Sequence, residues 1–300
     1  MHSMKFYIFL LTVFLFQACS SEKKSKQPSD YVDYVDYVVM GKSVNHRQDF
    51  SGNLKLLNTV FFAEIFPTDL TSSKVTVTNG KLTGPGDARE GLYFSTDRIP
   101  FLAGQREMTI EKLSERYPDG TYNFSFNTPV GSIEKFPVSF SDQSKKSNNP
   151  NPIKITLSQN GEEVNINAVN SNNDLKVSWS EFTIGSNDPN EIIDDMIYVI
   201  LGDCMGNEIA HSGHAISDPE ALTFDKTEFI IKSTVLSPGR PYQLEVEHSN
   251  METAINSNIE IIVTKAATSF LDFRTQDEDL NACPELPFAM DGGQTDRVKK

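Results

Sequence analysis

Apolar residues return at every second position in three separate stretches of this chain: Tyr122, Phe124 and Phe126; Leu175, Val177 and Trp179; Tyr242, Leu244 and Val246. A period of two is the period of a β-strand with one buried face. Polar residues fill the alternate places, so Lys176, Ser178 and Ser180, and Gln243, Glu245 and Glu247, are expected to point outward. One stretch breaks the pattern. Met108–Arg116 carries Ile110 and Leu113 at helical spacing and reads as a short helix. The expected class is all-β, built from antiparallel sandwiches.

Other segments extend this reading. Leu54–Phe66 is apolar enough to be buried on both faces. Lys74–Thr78 alternates, and Asn79-Gly80 reads as its hairpin turn. Leu92–Phe94, Ile133–Phe140, Met196–Leu201 and Phe229–Ile231 read as further strands. Pro118-Asp119-Gly120 is a turn, since Pro presets φ and Gly accepts positive φ. Ser141–Pro152 holds no large apolar side chain and reads as a linker. It divides the chain into bodies at 37–140 and 153–276, followed by a tail at 277–300.

The N-terminus reads as an address. Phe6–Phe16 is an apolar run broken only by Thr12, too short to span a bilayer as a helix and of signal-peptide length. Phe16-Gln17-Ala18-Cys19 follows it. A small residue before a lone Cys at this place resembles a bacterial lipobox. The resemblance implies that residues 1–18 are removed and that Cys19 becomes the lipid-bearing first residue. Phe16 and Gln17 depart from the commoner Leu and small residue. Ordinary secretion with cleavage after Ser20 is the alternative. Ser20 in place of Asp favours the outer membrane. Residues 19–36 are then a tether. Within it, Tyr31–Val38 repeats Tyr-Val-Asp, read as part of the tether or as a first edge strand.

Leu236-Ser237-Pro238-Gly239-Arg240-Pro241-Tyr242 precedes an alternating strand. Pro-Gly makes a crossing turn, and the Tyr ring fills the core end while its hydroxyl serves a nearby backbone group. That is the tyrosine corner of immunoglobulin-like sandwiches. With Trp179 on an early strand, Leu236, Pro238, Gly239 and Tyr242 make 153–276 resemble a fibronectin type III-like domain. The irregular stretch from Gly202 to Thr223 departs from that pattern. The two bodies in tandem also resemble a pair found in uncharacterised bacterial secreted proteins, which implies a fold and a location but no activity.

The net charge of −14 argues against a nucleic-acid partner, which needs a basic face. Beyond Cys19, two cysteines remain, Cys204 and Cys283. In an exported protein they permit one disulfide, with two separate thiols as the alternative. Cys204, His211 and His214 are three metal-ligating residue types, but Gly213 makes a loop and no fourth ligand is apparent, so no metal is expected. Asp194-Asp195, Asp277–Asp279 and Ser186–Glu191 are oxygen-rich, yet read as solvated charge and a turn. No Gly-x-Ser-x-Gly, phosphate-binding or His-Glu-x-x-His motif occurs, and no catalytic residue or cofactor is assigned. The expected function is a non-catalytic binding or structural module, held in the envelope by its lipid and meeting glycans or envelope and extracellular proteins. A polysaccharide-processing hydrolase, or an accessory to one, is the alternative. It would show as a cleft with converging carboxylates.

Overall fold

The computed structural model describes residues 31–70, 73–140, 148–216, 218 and 221–277. The chain begins with two long strands, β1 (Val35–Gln48) and β2 (Leu54–Pro67). Short strands follow: β3 (Thr78–Thr83), β4 (Leu92–Tyr93) and β5 (Phe101–Ala103). The helix α1 (Ile110–Arg116) buries Leu113, and Thr109 caps it by accepting from the Lys112 amide at 3.3 Å. Next come β6 (Thr121–Thr128) and β7 (Gly131–Ser139), then β8 (Ile155–Gln159), β9 (Glu162–Glu163) and β10 (Leu175–Trp179). The last third holds β11 (Met196–Asp203), β12 (Glu208–His211), β13 (Leu222–Thr223) and β14 (Glu228–Ile231). Two 16-residue strands close it, β15 (Pro241–Asn256) and β16 (Ile259–Arg274).

These strands form one long sheet, ordered β12-β11-β15-β16-β1-β2-β5 with β13 also on β11, and two small sheets, β4-β3-β6-β7 and β14-β10-β8-β9. The protein is therefore all-β, with antiparallel pairs throughout except β1 against β16, which run parallel.

Both small sheets cover the same face of the long one. Alternate residues of β16 share a face. Ile259, Ile261 and Val263 enter a first core with Val38, Met40, Phe61 and the Tyr122-Phe124-Phe126 row. Leu271 and Phe273, on the same face of the same strand, enter a second core with Val199, Leu244, Val177 and Trp179. The linker thus parts two cores but not the sheet: β15 and β16, which belong to 153–276, pair onward to β1. The two sandwiches expected from the sequence share this long sheet.

Between the cores, register pairing sets Lys42 beside Lys265. Asp119 in the turn after α1 accepts from both, at 2.5 Å and 3.0 Å, and the Phe140 ring lies under both ammonium groups. Asn149, at the described end of the linker, donates to the carbonyls of Lys42 and Ala266.

Three local expectations are corrected. Asn79-Gly80 is no hairpin turn. It lies inside β3, where Asn79 takes φ +54° at an irregularity in the pairing with β6. The positive φ that suits Asn-Gly to a hairpin suits it equally to a bulge. A Cβ on Gly80 would come within 2.9 Å of Phe94, so the glycine also lets that ring close in. Second, the Tyr-Val-Asp repeat is neither tether nor edge strand. Val35, Tyr37 and Val38 are buried in β1, a strand with neighbours on both sides. Tyr31 packs in the first core and its hydroxyl donates to the Ser132 carbonyl at 2.9 Å. Third, Gln243 does not point to solvent. It is buried and donates to Asp272, which also pairs with Arg47.

Candidate ligand-binding cleft

Among the described residues no third sheet covers the other face of the long sheet. That face lines a cleft of about 420 Å3. Residues from near both edges meet there: Phe101 and Ala103 of β5 on one side, Ile200 of β11 and His211 of β12 on the other. The sheet must curl for this, and ring contacts record the curl. His214, three residues beyond β12, sits 6.1 Å from Phe66 of β2, nearly edge-on. Gly41 on the floor has no side chain because a Cβ there would lie 2.6 Å from both Phe62 and Thr264.

The wall is largely apolar, formed by residues such as Val39, Phe62, Phe66, Ile262 and Met251. Glu64, Glu245 and Glu247 of the long strands line it, as do Asp97 and Glu208. Glu247 accepts from Ser249 at 2.6 Å and from Thr268 at 2.9 Å. From Thr268 a chain of contacts crosses the sheet to Ser43 (2.9 Å), Asn45 (2.8 Å) and Asn58 (3.0 Å). Burial pushes the Glu247 carboxyl up.

Glu64 accepts no hydrogen bond from the described residues. Burial first, then the neighbouring Glu247 and Glu245, push its pKa up to about 8. Tyr37 and Tyr198 are raised as well, chiefly by burial. Thr264 lines the cleft and is 2% exposed, and its hydroxyl has no partner among the described residues. At the rim His211 and His214 stack with ring centroids 4.4 Å apart. His211 Nδ1 accepts from the Gly213 amide, and His214 donates its backbone amide to Asp218 at 2.7 Å, holding that carboxyl low. Arg98 and Arg106 also reach the rim.

Of the residues singled out in the sequence, His211 and His214 line this cleft, while Cys204, Trp179 and the corner residues do not. Tyr242 is a tyrosine corner in geometry: its hydroxyl accepts from the Ser237 amide at 2.7 Å. Trp179 is buried and donates to the Lys226 carbonyl at 3.1 Å. Leu236 is buried beside them, with the Pro238-Gly239 turn adjacent and Gly239 at φ +69°. All serve the second core, on the opposite face. Cys204 is disulfide-bonded, and its partner lies outside the described residues, as do Cys19 and Cys283. Among the described residues no group of three or more His, Cys, Asp and Glu is placed to hold a metal. The oxygen-rich turn is satisfied internally: Asp188 accepts from the amides of Asn190, Ile192 and Ile193 and from Thr253, and Asp195 accepts from Ser186 and the Met251 amide.

The cleft did leave signals in the sequence. Glu64 is the one charged side chain in Leu56–Phe66. Glu245 and Glu247 hold the alternate places of a strand whose partners are buried. The irregular stretch after Gly202 supplies the His211–Ala215 wall.

No family model matches the chain, and no curated protein matches it. Among solved structures, a crystal structure of the FN1–FN3 domains of chicken CNTN1 matches at 11% identity and a TM-score of 0.24, covering 79% of this chain and 64% of that one. The Yersinia pseudotuberculosis adhesin InvE matches at 11% identity and a TM-score of 0.15, covering 80% and 60%. The chain thus spans less than two thirds of either. The all-β fold stands on its own strands and registers.

Proposed function

We propose that this chain is a binding protein of the bacterial envelope, tethered through lipid on Cys19, that holds a small amphiphilic molecule in the cleft. The cleft itself carries the reading. A concave site of this volume, mostly apolar with a few convergent polar groups, has the form of a small-molecule site. It is too small for a folded protein partner.

Converging carboxylates are also what a polysaccharide hydrolase would show. Such an enzyme needs one carboxyl held as an acid and its partner held ionised. Here Glu64 and Glu247 are both pushed toward the protonated form, and no cation is paired with either among the described residues. That favours binding over hydrolysis.

The test is thermal unfolding of the purified chain from Ser20 onward against a panel of amines, fatty acids, short peptides and oligosaccharides. A ligand-dependent rise in Tm that Ala103→Trp, which fills the cleft, abolishes is expected. A panel without effect, or a rise that survives the filled cleft, refutes the reading.

A further inference from the structure

We infer that the cleft recognises a primary ammonium group carried on an apolar body. This rests on the cleft being the binding site and names the chemistry of its occupant.

The polar groups of the cleft decide which ligand completes it. Glu64 offers acceptor oxygens and has no donor among the described residues. Thr264 places an unpartnered hydroxyl among the same lining residues, nine-tenths buried. A buried hydroxyl without a partner is costly, and Glu64 in the same lining has open acceptors, so a ligand with a polar head is selected over a purely apolar one. Glu247 and Glu245 act on Glu64 as repelling charges. An anionic head would add a further like charge to these three carboxyls and is disfavoured. A neutral hydroxyl can supply one donor but relieves no repulsion. An ammonium supplies three donors and one positive charge, which removes the repulsion and fills the vacant acceptors. Arg98 and Arg106 also line the cleft, but so do Asp97 and Glu208, which leaves five carboxylate residues against two guanidinium groups. The apolar body then lies against Phe62, Ile262 and Met251.

Binding of such a head draws Glu64 into its ionised form, so the complex forms with release of a proton near neutral pH. That release separates a charged contact from simple filling of an apolar space.

The experiment is calorimetric titration near pH 7 in two buffers of different ionisation heat, with hexylammonium, hexan-1-ol and hexanoate as probes. Wild-type protein, Glu64→Gln and Ala103→Trp are compared, each verified folded by circular dichroism. Hexylammonium is expected to bind at least about tenfold tighter than hexan-1-ol, with release of up to about one proton. Glu64→Gln should weaken hexylammonium about tenfold or more and hexan-1-ol far less. If hexan-1-ol binds as well as hexylammonium, or Glu64→Gln leaves the amine unaffected, the ammonium inference falls. When Ala103→Trp still removes the alcohol in that case, the cleft stands as a binding site. If amine binding survives Ala103→Trp, the cleft reading itself falls. Failure of hexylammonium to bind wild-type protein also overturns the inference. Nα-acetyl-lysine amide carries the same head on a bulkier polar frame. Weaker binding by it supports a free amine, and equal binding assigns the ammonium to a lysine of a peptide.

Discussion

Glu64 gives the sharpest stability prediction. Its carboxyl sits in the cleft wall with a pKa of about 8, against an ordinary value of 4.5. Below about pH 4.5 the group is protonated in folded and unfolded chains alike and costs nothing. As pH rises, the unfolded chain releases its proton first while the folded chain holds on. Between about 4.5 and 8 the folded state therefore binds more protons, and stability falls with pH. Above about 8 both forms are ionised and the loss is complete. Each pKa unit corresponds to about 1.4 kcal/mol, which sets a ceiling of about 5 kcal/mol. The side chain is partly open to water in the cleft, and its repulsion is shared with Glu247, itself raised. Screening reduces the expected loss to roughly 2–3 kcal/mol. Glu64→Gln keeps the shape and removes the titration. Urea unfolding at about pH 4 and about pH 9 reads the difference. The variant should match wild type within about 0.5 kcal/mol at the lower pH and exceed it by roughly 2–3 kcal/mol at the higher. Parallel curves across this range, or a wild type that gains on the variant, would refute the assignment of a buried, unpaired carboxyl.

Three further predictions address the rest of the molecule. Asp119→Ala leaves the buried Lys42 and its neighbour Lys265 without their anion and should cost about 3 kcal/mol in urea unfolding; a loss below about 0.5 kcal/mol would mean the junction between the cores does not depend on it. Tyr242→Phe strips the Ser237 amide of its acceptor and should cost about 1–2 kcal/mol, with no effect on binding in the cleft, since the corner serves the opposite face. Cys19→Ala should move the protein from membranes to the soluble fraction in the producing cell, and unchanged fractionation would sink the lipid anchor.

What the sequence made legible was what depends on short-range period and turn chemistry. The Tyr122-Phe124-Phe126 row is buried as its alternation demands, α1 falls where Ile110 and Leu113 are spaced, and the Pro-Gly turn delivers Tyr242 to its corner. What stayed hidden depends on pairing at a distance. The parallel register of β1 with β16 joins residues more than 200 apart, such as Val38 and Ile261, and no local signal announces it. Without that pairing the Tyr-Val-Asp repeat looks like an edge strand, and the bodies on either side of the linker look independent. The cleft shared this fate. Glu245 and Glu247 hold the positions that alternation assigns to solvent, and the assignment fails because the sheet curls. Their face turns inward onto the wall that follows β12.

The curl also explains why one face of this sheet can hold polar groups that the other cannot. The face under the two small sheets is filled from Ile259 to Phe273, and where it carries charge, at Lys42 and Lys265, the charge is paired. The opposite face is apolar at Tyr37, Val39 and Ile262, yet among the described residues it holds Glu64 without a partner and Thr264 without a hydrogen bond. Within the apolar run Leu56–Phe66 of β2 that carboxyl is the one charged side chain, and such exceptions mark sites where stability is given up for function. The two halves of the reasoning then constrain each other. If Glu64 costs the folded chain stability because its charge has no counterpart, the molecule that supplies the counterpart must both stabilise the protein and depend on that residue. A glutamine at 64 should therefore make the empty protein more stable at alkaline pH and the ammonium complex weaker. A merely structural carboxylate would move stability alone.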